Sequence, residues 1–169
     1  IRKPLIVMTP KSLLRHPQAT SSLEALSRGG FQKVIADPDG PAPAKTRRIL
    51  LCSGKVYYDL LAGRSSQGTD DVAILRVEQL YPVPDVELRA ALADYPDFTE
   101  LLWVQEEPMN MGAWPAMALR LGNKPFDRFY LKGVHRPESA SPATGSKASH
   151  TFEQDRLVRQ ALGQTTKEE

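Results

Sequence analysis

Short apolar runs alternate with stripes of apolar residues at helical spacing along this chain. Leu5, Ile6, Val7 and Met8 are consecutive, as expected of a strand covered on both faces. Ile49, Leu50, Leu51 and Cys52, led by Arg48, predict a second strand, and residues 72–77 a third. Leu101, Leu102, Trp103 and Val104 predict a fourth, and Phe129, Tyr130 and Leu131 a fifth; residues 31–36 suit a minor strand. Thr9 and Pro10 offer a helix cap followed by proline at the first helical position, and Pro17 stops that turn. Residues 21–26 predict a short helix ended by Gly29 and Gly30, and residues 56–62 one that Gly63 closes. Asp85 caps a helix in which Leu88, Leu92 and Tyr95 recur, and another opens near Pro115. Thr151 and Gln154 have capping-box spacing ahead of Leu157, Val158, Ala161 and Leu162, which line one face of the last helix. Residues 37–45, with three prolines and a glycine, read as a surface loop, as do residues 65–70. Strands separated by helices of this length predict an α/β fold, a mostly parallel sheet with helices on both faces. One domain over residues 1–163 is expected, with residues 164–169 frayed.

Charge and cysteine usage narrow the class. A net charge of +2 from scattered residues argues against nucleic acid or a membrane surface held by bulk electrostatics. No apolar stretch approaches the roughly 18 residues of a membrane span, and the opening residues do not read as a signal peptide. The lone cysteine, Cys52, sits in an apolar run and reads as a buried small hydrophobe, so a reducing, cytoplasmic setting is expected. Arg2, Lys3 and Pro4 lead at once into a strand, which suggests the cut edge of a larger polypeptide.

Residues 104–114 hold the most informative chemistry. An apolar strand ends in Gln105, Glu106, Glu107 and Pro108, then a polar turn with Asn110, then a helix. In open α/β sheets, ligands and partners are met at such strand ends, because side chains leave the core while the backbone stays rigid. Adjacent glutamates on extended backbone point opposite ways, which suits an interface better than an acid/base pair. Two strand-to-helix turns, Thr9 with Lys11 and Ser53 with Lys55, offer backbone N–H groups and a helix dipole to an anion; any such turn also needs a small capping residue. His16, His135 and His150 stand far apart, the one cysteine has no partner for a zinc site, and no phosphate-loop, dinucleotide or nucleophile-elbow motif occurs. No catalytic set and no metal site assemble from these residues. Residues 136–145, rich in proline and serine, read as an extended connection pinned across a neighbouring surface.

Five segments in order then carry a resemblance: residues 4–15 (PLIVMTPKSLLR), 51–61 (LCSGKVYYDLL), 74–84 (ILRVEQLYPVP), 104–114 (VQEEPMNMGAW) and 136–145 (RPESASPATG). Together they resemble the C-terminal domain of the decarboxylating, thiamine-diphosphate-dependent component of 2-oxoglutarate dehydrogenase, across nearly the whole chain. More loosely, a strand ending in paired glutamates with a glycine soon after is similar to transketolase C-terminal domains in general. The resemblance implies a three-layer αβα domain with a largely parallel five-stranded sheet. It implies a parent enzyme of the tricarboxylic acid cycle that decarboxylates 2-oxoglutarate and passes the succinyl group to the lipoyl arm of a dihydrolipoamide succinyltransferase. Thiamine diphosphate and Mg²⁺ would be held by the preceding domains of a homodimer and not by this segment, so no catalytic residue is carried onto it. The setting would be cytoplasmic, or the mitochondrial matrix in a eukaryote.

For this domain the resemblance implies dimer assembly and framing of the route to the active site, with Gln105, Glu106, Glu107 and Asn110 as the contact positions. Some relatives bind a regulatory nucleotide or acyl-coenzyme A through basic residues after the VEQLYPVP-like segment. Here those positions are Asp85, Val86 and Glu87, which would repel an anion. A stand-alone module binding an anionic nucleotide or acyl-coenzyme A, and the same enzyme class acting on pyruvate or 2-oxoadipate, are the alternatives.

Overall fold

Four parallel strands, residues 72–77, 48–52, 100–108 and 130–136 in spatial order, are joined beside the first of them by a short antiparallel strand, residues 34–35. The computed structural model describes residues 2–7 and 9–164. They divide into two units, Ile1–Phe31 and Gln32–Glu169. The first holds a 3-10 turn at Lys11–Arg15 and the helix α1 (Leu23–Arg28), whose Ser22 hydroxyl accepts from Ala25 N–H at 3.1 Å. The second holds the sheet: β1 (Val34–Ile35), β2 (Arg48–Cys52), β3 (Val72–Val77), β4 (Glu100–Pro108) and β5 (Tyr130–Arg136). Its helices are α2 (Val56–Gln67), α3 (Asp85–Leu92), α4 (Trp114–Leu121) and α5 (Lys147–Leu162).

Strand periodicity sorts the core into two layers. Leu50, Cys52, Ile74, Leu102, Val104 and Val134 face α2 and α5, meeting Val56, Leu60, Leu157 and Val158. Ile49, Leu51, Leu75, Leu101, Trp103 and Leu131 face the other way, against Leu88 and Leu92 of α3 and Met117 of α4. This is the expected three-layer αβα arrangement with five strands. Each fully buried aliphatic side chain contributes on the order of 1.5–3 kcal/mol as an upper estimate.

The identity of the edge strand differs from expectation. Residues 5–7 form no strand and lie exposed, and Met8 falls outside the described residues. The fifth strand is instead Val34–Ile35, within the stretch read as minor. An apolar run makes a strand only where a neighbouring strand accepts it; β3 accepts Val34 and Ile35 in antiparallel register.

Helix boundaries moved for local reasons. Gly63 does not close α2, which runs to Gln67 and ends at Gly68 with φ 61°. Gly63 is the contact point with α5, because a Cβ there would stand 2.5 Å from Val158 Cγ1. Thr151 and Gln154 do not open α5: Ser146 caps it, Thr151 donates to the Lys147 carbonyl inside the helix, and Gln154 reaches across to α2. Asp85 is the first residue of α3 rather than its cap. β5 continues to Arg136 through Gly133, which is needed there because a Cβ would stand 2.8 Å from Trp114 Cε2. The loop after β1 is not wholly at the surface, since Asp37 is buried against Arg64.

Candidate functional site

The crossovers define one crevice. β2 leads through α2 on one face to β3, while β4 leads through α4 on the other face to β5. The chain therefore diverges between the carboxyl ends of β2 and β4, the position where open α/β sheets admit ligands. Ser53 and Lys55 follow β2, and Gln105, Glu106 and Glu107 end β4.

Lys55 and Glu106 meet across this crevice at 2.6 Å, and Asp59, one turn along α2, approaches the same ammonium at 3.1 Å. Burial alone would lower the Lys55 pKa, but the hydrogen bonds and charges of Glu106 and Asp59 outweigh it and leave the ammonium above its ordinary value. One cation thus faces two carboxylates, so an anion at the start of α2 meets net negative charge. Gly54, at φ 69°, turns the chain into the helix, and the Ser53 hydroxyl forms no hydrogen bond among the described residues. Thr9 and Lys11 belong to the first unit, where both are exposed beside or within the 3-10 turn.

Gln105 is buried and shapes the rim from inside. Its Oε1 accepts from Trp103 Nε1 at 3.1 Å and from the Trp114 N–H at 2.7 Å, so it caps the start of α4, where Ala113 has no side chain to do so. Its Nε2 donates to the carbonyls of Pro108 at 3.1 Å and Met111 at 2.7 Å. Gly112, at φ 65°, closes the same turn; a Cβ there would crowd the Gln105 amide at 3.0 Å. Glu107 points to solvent, opposite to Glu106.

Asn110 holds the proline- and serine-rich connection that follows β5. Its Nδ2 donates to the Ser139 carbonyl at 2.9 Å and its Oδ1 accepts from the Ser139 N–H at 3.2 Å, imitating a strand partner. The expected pinning is therefore real. Its far end is fixed by Arg136 at the end of β5 together with residues of α5. Arg136 is buried and donates to Thr144 Oγ1 at 3.2 Å, His150 Nδ1 at 3.0 Å and Gln154 Oε1 at 3.2 Å. Glu153 Oε2 lies 3.4 Å from Arg136 Nε. Gln154 also donates to Asp59 at 2.9 Å, which links this cluster to Lys55 and Glu106 in one continuous polar network along the C-terminal edge. Only the Lys55–Asp59 contact, at i,i+4 spacing, was readable from sequence.

Other expected features take ordinary places. Cys52 is fully buried, its thiol pKa pushed upward by burial. Asp85 pairs with Arg120 and Glu87 with Lys33, so the acidic turn after β3 is matched within the chain. Among the described residues no group of three His, Cys, Asp or Glu could hold a metal ion, and no helix is long and apolar enough to cross a membrane.

Comparison with known proteins completes this picture. Residues 20–162 match the family model described as 2-oxoglutarate dehydrogenase C-terminal. The chain is 48% identical over 162 residues to the 2-oxoglutarate dehydrogenase E1 component of Haemophilus influenzae, covering 96% of this chain and 17% of that protein. It is 44% identical over 165 residues to the protein of the same name from Azotobacter vinelandii, covering 96% and 18%. It is 44% identical over 168 residues to the multifunctional 2-oxoglutarate metabolism enzyme of Mycolicibacterium vanbaalenii, covering 96% and 14%. The chain therefore spans less than a fifth of the length of these relatives, and it belongs to the 2-oxoglutarate dehydrogenase C-terminal family.

Proposed function

We propose that this chain is the C-terminal domain of an E1 subunit that decarboxylates 2-oxoglutarate and succinylates the lipoyl group of a partner acyltransferase. Its own part is assembly of the subunit and of a homodimer, and framing of an active site built elsewhere. The observation that carries this reading is 48% identity over 96% of the chain to a protein named 2-oxoglutarate dehydrogenase E1 component. The geometry supports a framing role: the switch-point crevice is filled by Lys55 and Glu106, and Gln105 and Asn110 fix the rim around it.

The cofactor of such an enzyme, thiamine diphosphate with Mg²⁺, does not fit the residues of this chain. The crevice presents two carboxylates already bound to one ammonium, an unfavourable environment for a diphosphate. The cofactor would be held by the rest of the subunit, in the cytoplasm or, in a eukaryote, the mitochondrial matrix.

Assay of the full subunit and of the isolated chain with an artificial electron acceptor tests the proposal. The full subunit turns over 2-oxoglutarate in preference to pyruvate and 2-oxoadipate, and the isolated chain turns over none of them. Turnover by the isolated chain, or a full subunit inactive on 2-oxoglutarate, refutes it.

A further inference from the structure

We propose that the outer edge of β5 and the face of α5 beside it form a docking groove for an extended, acidic segment of a partner protein, which joins the sheet as an added antiparallel strand. β5 ends the sheet on the side opposite β1. Successive residues of a strand turn their main-chain groups to opposite edges, and two contacts fix which residues of β5 turn outward. The Leu131 N–H donates away from β4, to the Asn123 carbonyl at 3.1 Å, while the Arg136 carbonyl accepts from Met109, just past β4, at 3.0 Å. Gly133 and His135 therefore present N–H and C=O groups to the open side, and neither N–H has a partner there among the described residues. Both residues are partly exposed. An edge in this condition is a template for another strand.

Side chains along the groove set what the added strand must carry. A cleft of about 680 Å³, lined by His135 and Pro137 on one side and by α5 on the other, adjoins this edge. Phe152, 69% exposed, and Arg156, which forms no ion pair with another described residue, line it one helical turn apart. Glu153 in the same cleft is already engaged by Arg136 and Thr144, so the unmatched charge is positive. Four helical residues advance about 6 Å and two strand residues about 6.6 Å, so alternate side chains of an added strand meet Phe152 and Arg156 in turn. α5 starts beside Arg136, at the end of β5, and finishes beside Arg48, at the start of the parallel strand β2. It thus runs against β5, and a strand added antiparallel to β5 runs with it. Antiparallel pairing is the more stable kind, and it places an apolar residue at Phe152 with an acidic residue two positions later at Arg156. With the residue between them paired to Gly133, the acidic one stands opposite Lys132. That exposed cation shares Glu100 with Arg48, so it too is incompletely neutralised.

Fluorescence anisotropy of a rhodamine-labelled peptide, Ser-Thr-Leu-Thr-Glu-Thr-Ser, titrated with the full-length gene product tests this. Saturable binding is expected. Arg156→Glu weakens it about 10-fold and Phe152→Ala about 5-fold. N-methylation of the central threonine, which removes its N–H towards Gly133, abolishes it. The peptide with lysine in place of glutamate binds the Arg156→Glu protein better than the wild type, a reversal that damage to folding does not produce. Hydrogen exchange in the complex slows about 10-fold at the Gly133 and His135 amides and is unchanged in β2. Absence of saturable binding overturns the proposal, including where another part of the subunit already occupies the edge. Binding insensitive to Arg156→Glu or to N-methylation overturns it as well. So does slowed exchange at Gly133 and His135 that grows with protein concentration without peptide, because the occupant is then a second copy.

Discussion

The two edges of the sheet use charge in opposite ways. At the N-terminal edge, Arg64 lies in the last turn of α2 and is almost fully buried with Asp37, which also accepts from the Ile74 N–H at 2.8 Å. Arg48 pairs with Glu100 at 2.6 Å and donates to the carbonyls of Gln160 and Ala161 at the end of α5. Both cations sit at helix C-termini, where the macrodipole favours them. At the C-terminal edge, Lys55 stands at the start of α2, where the same dipole opposes a cation, and Glu106 and Asp59 hold it there partly exposed. One edge is bolted with charges placed as the helices prefer. The other keeps a charge against local preference at the switch point, which is the behaviour expected of a functional rim.

The largest expected effect breaks the first edge. Arg64→Met leaves the Asp37 carboxylate buried without its cation and lowers stability by about 3–5 kcal/mol in chemical denaturation. Adding Asp37→Leu to that variant restores part of the loss, because an apolar pair needs no desolvation while the Ile74 N–H still loses its acceptor. A loss below about 1 kcal/mol for the single change would remove the contrast between the edges.

Gln105→Ala comes next. It strips the Trp103 indole N–H and the Trp114 amide of their acceptor, and urea titration should read a loss of about 2–4 kcal/mol. Gln105→Glu keeps the acceptor and removes the donor, so it should fall between wild type and alanine. An unchanged midpoint for the alanine variant would mean that the rim does not depend on this amide.

Lys55→Met should be the mildest, about 0–1 kcal/mol, since it removes a partly exposed pair and also relieves an unfavourable dipole contact. The thermal midpoint measures it. A loss exceeding that of Arg64→Met would invert the comparison and make the C-terminal edge the structural one.

Much of the sheet was legible because β2, β3 and β4 are buried on both faces, and burial forces continuous apolar sequence. Gly63 misled because a glycine marks either a helix end or a close approach, and only the position of Val158 distinguishes them. The run at residues 5–7 misled for a related reason, since strand propensity does not specify a neighbour. At the rim, Gln105, Glu106 and Asn110 were visible as polar residues at a strand end. Their division of labour was not visible: Gln105 turned inward, Glu106 reached Lys55, and Asn110 held Ser139. The network of Arg136, Gln154 and Asp59 was not visible either, because an isolated polar residue in a sequence carries no record of what it will face: Gln154 has the spacing of a capping residue and instead reaches Asp59.

By itself the sequence determined the αβα architecture, the strand end that would carry the rim and the family resemblance, because hydrophobic period and motif order are local properties. Tertiary structure alone decided that Lys55 would be shared by Glu106 and Asp59, and that Arg136 would tie the 137–146 connection to α5. Gln154 and Asp59, which join those two clusters, stand 95 positions apart, and such distances close only when the sheet brings its strand ends together.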